Sequence, residues 1–260
     1  MREPVFHDAL PHMPWTDART WRLPGMLPCE AEDWIRQDEA FAGQMAERDW
    51  LIATRQPLVH ALLPEGRAAA AELLAVVLDL LARRPGYGVA GDRVTRPDGA
   101  VVRVDAAFPM VTLGRLVQED LCLMQKQGEE SVLTGAILCF PASWTLSQKI
   151  GRPMTGIHKP VHHYDEDIAR RVQRLFDMVR VGQPLERYNA LVYDDPALHN
   201  PRLEFDKRPY AVERLYMRSE RQCILRLPQT QAVVFSIHTY LVPMARFSDA
   251  ERAGMVAAGL

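Results

Sequence analysis

The sequence predicts an α+β protein in which a helical amino-terminal region precedes an antiparallel sheet with helices inserted into it. Three observations predict this class. Helical spacing of apolar residues dominates up to Pro85, short β-like runs dominate from Arg93 onward, and a helix-rich insertion separates the first two main strands from the three that follow. The chain divides accordingly into residues 1–92, a core over 93–246 and a carboxy-terminal helix over 247–260.

In the first part, helices are expected over Glu30 to Leu51 and Arg67 to Ala82. Trp34, Ala40 or Phe41, Met45 and Trp50 mark one apolar face, and Leu73, Val76, Val77, Leu80 and Leu81 the other. Pro64-Glu65-Gly66 separates the two as a turn, which makes the pair a helical hairpin. The first strands follow, Glu119 to Lys126 and Ser131 to Phe140, on either side of the hairpin loop Gln127-Gly128-Glu129-Glu130. A short helix from Ser143 to Ile150, closed by Gly151 and Pro153, opens the insertion. A longer one from about Asp165 to Arg180 carries Ile168, Val172, Leu175, Phe176 and Val179 on one face and Arg170, Arg171 and Arg174 largely on the other. Asp165 reads as its N-cap and Gly182 as its stop. Strands at Tyr188 to Tyr193, Val212 to Leu227 and Ala232 to Tyr240 complete the set. Two strands, helices, then three strands is the order of a PAS-like sheet, five antiparallel strands that hold a ligand between their concave face and the helices. Fold order alone does not name the ligand.

Composition narrows the function. The 260 residues carry 31 Lys+Arg against 33 Asp+Glu, a formal net charge of −2, so the basic excess of a nucleic-acid binder is missing. Cys29, Cys122, Cys139 and Cys223 contain no Cys-x-x-Cys pair, which argues against a structural zinc site or a secreted disulfide framework. Without Cys-x-x-Cys-His, any haem would be held without thioether bonds. Met1 to Trp15 lacks the apolar stretch of a secretory signal, and the most apolar window, Ala68 to Leu81, is broken by Glu72 and Asp79. Spanning a bilayer takes roughly 20 apolar residues. The expectation is a cytoplasmic protein with neither membrane nor nucleic-acid partner.

Gly86-Tyr87-Gly88-Val89-Ala90-Gly91 fits the dinucleotide fingerprint, yet that motif must follow a strand and open a helix, and here a helix precedes it and a turn-rich stretch follows. A redox enzyme with this sequence would therefore draw electrons from elsewhere. The densest chemistry is Ile157-His158-Lys159-Pro160-Val161-His162-His163-Tyr164. Its imidazoles suit a metal, but Pro160 forbids a continuous helix, so the one-face spacing of a zinc helix is unavailable; a loop His beside the next helix is the plainer reading. The second constellation is Arg218-Ser219-Glu220-Arg221-Gln222-Cys223-Ile224-Leu225-Arg226. Strand alternation puts Arg218, Glu220, Gln222 and Arg226 on one face and Arg221 and Cys223 on the other. In solvent that polar face is an ordinary Arg–Glu ladder; on a concave sheet face it sets a carboxylate and guanidinium groups against a ligand. Trp144 and Lys149 fall in a stretch that reads either as a lid or, for Trp144, as plain core. Arg187-Tyr188-Asn189 reads as an anion contact or a surface edge, and Cys139 as a thiolate ligand or a small buried residue.

Taken in order, Gly135 to Trp144, Lys149-Ile150-Gly151, Ile157 to Val161, Arg187-Tyr188-Asn189 and Leu215 to Pro228 resemble the haem-dependent oxidative N-demethylase alpha-subunit family over roughly residues 10 to 250. The resemblance implies a haem b in a PAS-like fold, O2 as oxidant, and removal of a methyl group from a small secondary amine such as dimethylamine as formaldehyde. It also implies separate reductase subunits carrying flavin and an iron–sulfur centre. His158 matches the expected axial iron ligand, and Glu220 the acidic residue of the distal pocket, suited to relay protons or hold a cationic amine. Arg218, Arg221 and Arg226 match partners of the haem propionates, although alternation turns Arg221 away from the other two; Lys149 and Trp144 complete the cofactor-binding set. The family usually continues Pro-Val-Pro after the His motif. Here Pro160-Val161-His162-His163 adds two further imidazoles, with His163 as the alternative metal ligand. The alternative function is a non-catalytic haem-binding sensor or storage protein of PAS-like fold.

Overall fold

The structure is a computed structural model that describes residues 3–21, 23–159, 166–206 and 211–260, excluding the side chain of residue 18. His162, His163 and the expected cap Asp165 lie outside the described residues. In chain order the helices are α1 (Ala18–Trp21), α2 (Phe41–Val59), α3 (Arg67–Ala82), α4 (Pro109–Gly114), α5 (Met154–His158), α6 (Glu166–Met178) and α7 (Asp249–Ala257). The strands are β1 (Leu27–Pro28), β2 (His60–Leu62), β3 (Gly88–Ala90), β4 (Arg93–Thr95), β5 (Val101–Arg103), β6 (Asp120–Gln127), β7 (Glu130–Ile137), β8 (Leu185–Tyr193), β9 (Tyr216–Arg226) and β10 (Val233–Pro243). No helix among the described residues is long and apolar enough to cross a membrane.

The α+β class holds. One seven-stranded antiparallel sheet runs β1-β8-β9-β10-β6-β7-β2, and β3-β4-β5 form a small second sheet. The five expected strands are its centre. They are extended at the edges by β1 and β2, which at two and three residues are too short to leave an alternation in the sequence. The expected helical hairpin is accordingly interrupted, because β2 leaves α2 to pair with β7 before α3 begins. Gly66 at this junction passes so close to β7 that a Cβ there would meet the Thr134 carbonyl at 2.6 Å.

Two helical expectations shift. The helix placed over Glu30 to Leu51 starts at Phe41 and continues past Pro57, with a non-helical Arg55 (φ −136°, ψ 27°) relieving the backbone where proline removes a donor. Residues 30–40 instead hold Trp34 and Ile35 in the core as an irregular segment. Its amides at Arg36 and Asp38 are satisfied by the side chains of Glu119 and Gln118. The helix placed over Ser143 to Ile150 is a single 3-10 turn, Leu146–Gln148. Ser143 takes a left-handed backbone (φ 63°) and is held by the Asn200 carbonyl. Gly86–Gly91 leads from α3 into β3 and opens no helix.

The sheet separates two apolar layers. On one face, α2, α3 and α4 pack with Leu73, Leu121, Leu123, Cys223, Leu225 and Val234. Truncating a side chain such as fully buried Leu73 to alanine would cost about 2–5 kcal/mol. On the other face lie Cys122, Ala136 and Ile224, covered by Met154 and Ile157 of α5 and by Val172, Leu175 and Phe176 of α6. Arg226 of β9 fastens the end of α6, donating to the carbonyls of Phe176, Asp177 and Val179. A cation there satisfies the helix's last unpaired carbonyls and its dipole.

Candidate functional site

The site is the β8–β9–β10 part of the sheet face whose Cys122–Ala136–Ile224 end is covered by α5 and α6. Cross-strand register places Asn189 of β8 and Thr239 of β10 on either side of Glu220, and Arg187 and Ile237 on either side of Gln222. Arg218, Glu220, Gln222 and Ile224 share this face by alternation. The solvent-ladder reading of the strand fails, because Arg218 is 2% and Glu220 5% exposed.

A connected chain of polar groups fixes the carboxylate. Glu220 Oε2 accepts from Asn189 Nδ2 at 2.9 Å and from Gln222 Nε2 at 3.0 Å. Gln222 Oε1 in turn accepts from Arg187 Nη1 at 2.9 Å. The other carboxylate oxygen, Oε1, lies 3.7 Å from Arg218 Nη2. Arg218 is anchored to backbone, donating to the Leu198 carbonyl at 2.9 Å and the Phe140 carbonyl at 2.5 Å. Burial pulls the Arg187 guanidinium below the ordinary arginine value, opposed by the charge of Glu220.

His158 ends α5, which packs beside α6 on the β7 part of that sheet face. Its Nδ1 lies 2.9 Å from the Met154 carbonyl, which can only accept, so Nδ1 carries the proton and the lone pair of the neutral ring sits on Nε2. Burial lowers its pKa and favours that neutral form. Lys149, 4% exposed, holds this turn from below, donating to the Ile157 carbonyl at 2.5 Å and to Glu204 Oε1 at 2.6 Å. Trp144 is half-buried against the α5–α6 apolar layer. A cavity of about 340 Å³ lined by Thr145, Ser147, His199 and Arg202 opens beside this segment.

Residues 25–259 match the family model described as haem-dependent oxidative N-demethylase, alpha subunit-like. The chain belongs to that family. An alpha-subunit-like member of a haem-dependent oxidative N-demethylase needs residues that can hold the haem, and this face supplies a fitting donor set. The neutral imidazole of His158, oriented through Nδ1 by a carbonyl, is in the form that ligates iron. Buried Arg218 lies 3.7 Å from the Glu220 carboxylate and half-buried Arg187 bonds Gln222 beside it, so two guanidiniums share one carboxylate, an excess of positive charge that suits an acid such as a propionate. Among the described residues, the buried Arg187 Nε, Arg218 Nε and Thr239 Oγ1 on this face meet no hydrogen-bond partner, the condition a bound polar ligand would relieve.

This face does not gather every residue named from the sequence. Arg221 projects to the opposite face and pairs with Glu186, and the donors of Arg226 go to main-chain carbonyls, including that of Gln231. Cys139 is fully buried with its thiol pushed up to about 12 by burial, as expected of a small interior residue. Sequence patterning does not connect Asn189 or Thr239 with the Glu220 carboxylate. Their part depends on strand register, which a single sequence does not carry.

Proposed function

We propose that this member of the haem-dependent oxidative N-demethylase family is the cytoplasmic, catalytic haem b subunit that demethylates a small secondary amine such as dimethylamine with O2. The methyl carbon leaves as formaldehyde. Residues 93–246 form its PAS-like haem-holding core, with 1–92 packed on it and 247–260 as its closing helix. A bound haem would supply the O2-activating iron, with electrons from separate flavin and iron–sulfur reductase subunits. The observation that carries the reading is the buried, doubly clamped carboxylate of Glu220, on the same sheet face as the apolar layer beneath α5, the helix that His158 ends.

The residues divide the work. His158 holds the cofactor through Nε2, with Nδ1 fixed by Met154. Lys149 keeps the turn carrying His158 in place through the Ile157 carbonyl. Arg218 and Arg187 receive the propionates, and Trp144 excludes water at the margin. Glu220 is the proton-handling group: Oε2 is occupied by Asn189 and Gln222, so Oε1 is the oxygen that gives and takes the proton, or meets the amine. Because the chain's net charge is only −2, selectivity for a cationic amine rests on such a local carboxylate.

The test is formaldehyde release from haem-loaded protein supplied with reductant, O2 and secondary amines. Glu220→Gln, which keeps the planar shape of the side chain but removes its charge and its titratable group, is expected to retain haem and lose turnover by about 10²–10⁴-fold. Full activity in that variant removes Glu220 from the mechanism. A haem-loaded wild type that forms a stable oxygen complex and no formaldehyde from any amine overturns the enzyme reading in favour of a sensor.

A further inference from the structure

The back of the same strand carries a second chemical cluster. Cys29, just after β1, meets Cys223 of β9 and Glu186 of β8, and one ligand atom from each lies within 4.8 Å of the others. Arg221 bridges two of the three: Nη2 donates to Cys29 Sγ at 3.4 Å and Nε donates to Glu186 Oε2 at 2.6 Å, while among the described residues its buried Nη1 meets no hydrogen-bond partner. Cys29 is half-buried at the surface, whereas Cys223 is 1% exposed behind it.

From this geometry we infer that Cys29 and Cys223 are a peroxide-oxidisable dithiol that closes reversibly to a disulfide. Three features separate the pair from ordinary interior cysteines. The sulfurs lie within 4.8 Å of each other, and since β8 stands between β1 and β9, joining them at the S–S length of about 2.05 Å takes a movement of the Cys29 segment, which lies past the end of β1, over β8 toward Cys223. One thiol is reachable from solvent and the other waits behind it, the arrangement of an attacking and a resolving cysteine. A guanidinium beside Cys29 stabilises its thiolate. The titration tendencies agree: a hydrogen bond from Cys223, with the Arg221 charge as a smaller contribution, holds the Cys29 thiol below its ordinary value, and the same bond and burial push the Cys223 thiol up, so the accessible sulfur deprotonates first.

The reaction balances as a two-electron oxidation by hydrogen peroxide. The Cys29 thiolate attacks one peroxide oxygen, the O–O bond breaks, and the departing hydroxide takes a proton to become water while Cys29 becomes a sulfenic acid. The Cys223 sulfur then attacks the Cys29 sulfur, the S–O bond breaks, and the Cys223 proton leaves with the hydroxyl as a second water. Both thiols are oxidised and peroxide is reduced. A divalent cation between the sulfurs and Glu186 is the competing occupant, and Arg221 disfavours it by placing a positive charge on the same atoms.

The experiment treats the full chain with peroxide, then denatures it, labels free thiols and maps the peptides. The expected result is loss of two thiols, a cross-linked peptide joining Cys29 to Cys223, and recovery with dithiothreitol, while Cys122 and Cys139 stay labelled. Cys29→Ser is expected to abolish the loss, and Cys223→Ser to leave a dimedone-reactive sulfenic acid at Cys29. Arg221→Lys, which keeps a cation beside Cys29, should slow oxidation less than Arg221→Gln. The proposal is overturned if wild-type Cys29 proceeds to sulfinic acid with Cys223 still free, or if Cys29→Ser loses two thiols as fast as wild type. Zinc retained stoichiometrically through desalting, blocking both thiols and lost in Cys29→Ser, also overturns it.

Discussion

Asn189 and Glu220 face each other across β8 and β9 and are joined twice: Asn189 Oδ1 accepts the Glu220 amide at 2.9 Å, and Nδ2 donates to Glu220 Oε2 at 2.9 Å. One side chain thus fixes both the backbone and the carboxylate of the residue proposed to handle protons.

Removing that clamp tests it. Asn189→Ala leaves a buried carboxylate with one fewer donor and is expected to cost about 1–3 kcal/mol of stability by urea denaturation. It should also lower turnover while haem is retained. Asn189→Asp should be worse than alanine in both measurements, because it sets a second carboxylate against Glu220. Equal stability of wild type and Asn189→Ala would contradict the clamp.

Lys149 gives a different signature. Its bonds to Ile157 and Glu204 orient the turn that ends in His158, so Lys149→Met is expected to weaken haem retention about 10–100-fold, the usual effect of losing a group that orients a metal ligand. Equilibrium haem transfer to an acceptor globin reads this. Unchanged retention would leave Lys149 as a core ion pair only.

The opposite face predicts a pH dependence independent of haem. His238 is 1% exposed and bonded through Nδ1 to Glu119 at 2.9 Å and through Nε2 to Asp38 at 2.8 Å, and Asp38 also accepts from His7 at 3.0 Å. Two carboxylates hold the His238 pKa up at about 9 against burial. A raised pKa contributes stability that is complete below the unfolded value of about 6.5 and is lost as pH rises to about 9. That loss is roughly 3 kcal/mol at most. Asp38 is held well below the carboxylate range by both histidines, so its share is present above about pH 4 and is lost in acid. Melting temperature against pH should therefore fall on both sides, and the alkaline fall should be absent in His238→Gln. A wild-type alkaline limb identical to that of His238→Gln would contradict the ion-pair cluster.

These residues show where the sequence is legible and where it is not. The helix Arg67–Ala82 is readable to its ends because an alanine- and leucine-rich run follows a Pro-Glu-Gly turn, both local signals. Likewise β6 and β7 are found within a few residues, since apolar runs flank a turn with Gly128 at positive φ. Alternation along β9 correctly turns Arg221 away from Arg218 and Glu220, because a period of two is also local. What escapes is non-local. The amides of residues 36 and 38 find their partners about eighty residues on, so apolar spacing there mimics a helix that does not form. Asn189, Thr239 and the Cys29–Cys223 approach likewise depend on strand order and register.

The central claim is that this face holds haem through His158, and a haemin titration of the purified chain followed by its Soret band tests it most directly. The account predicts a saturating Soret band at a stoichiometric ratio in wild type and in Glu220→Gln, and a weakened or shifted band in His158→Ala. No Soret band after supplementation, or a His158→Ala titration indistinguishable from wild type, would contradict it.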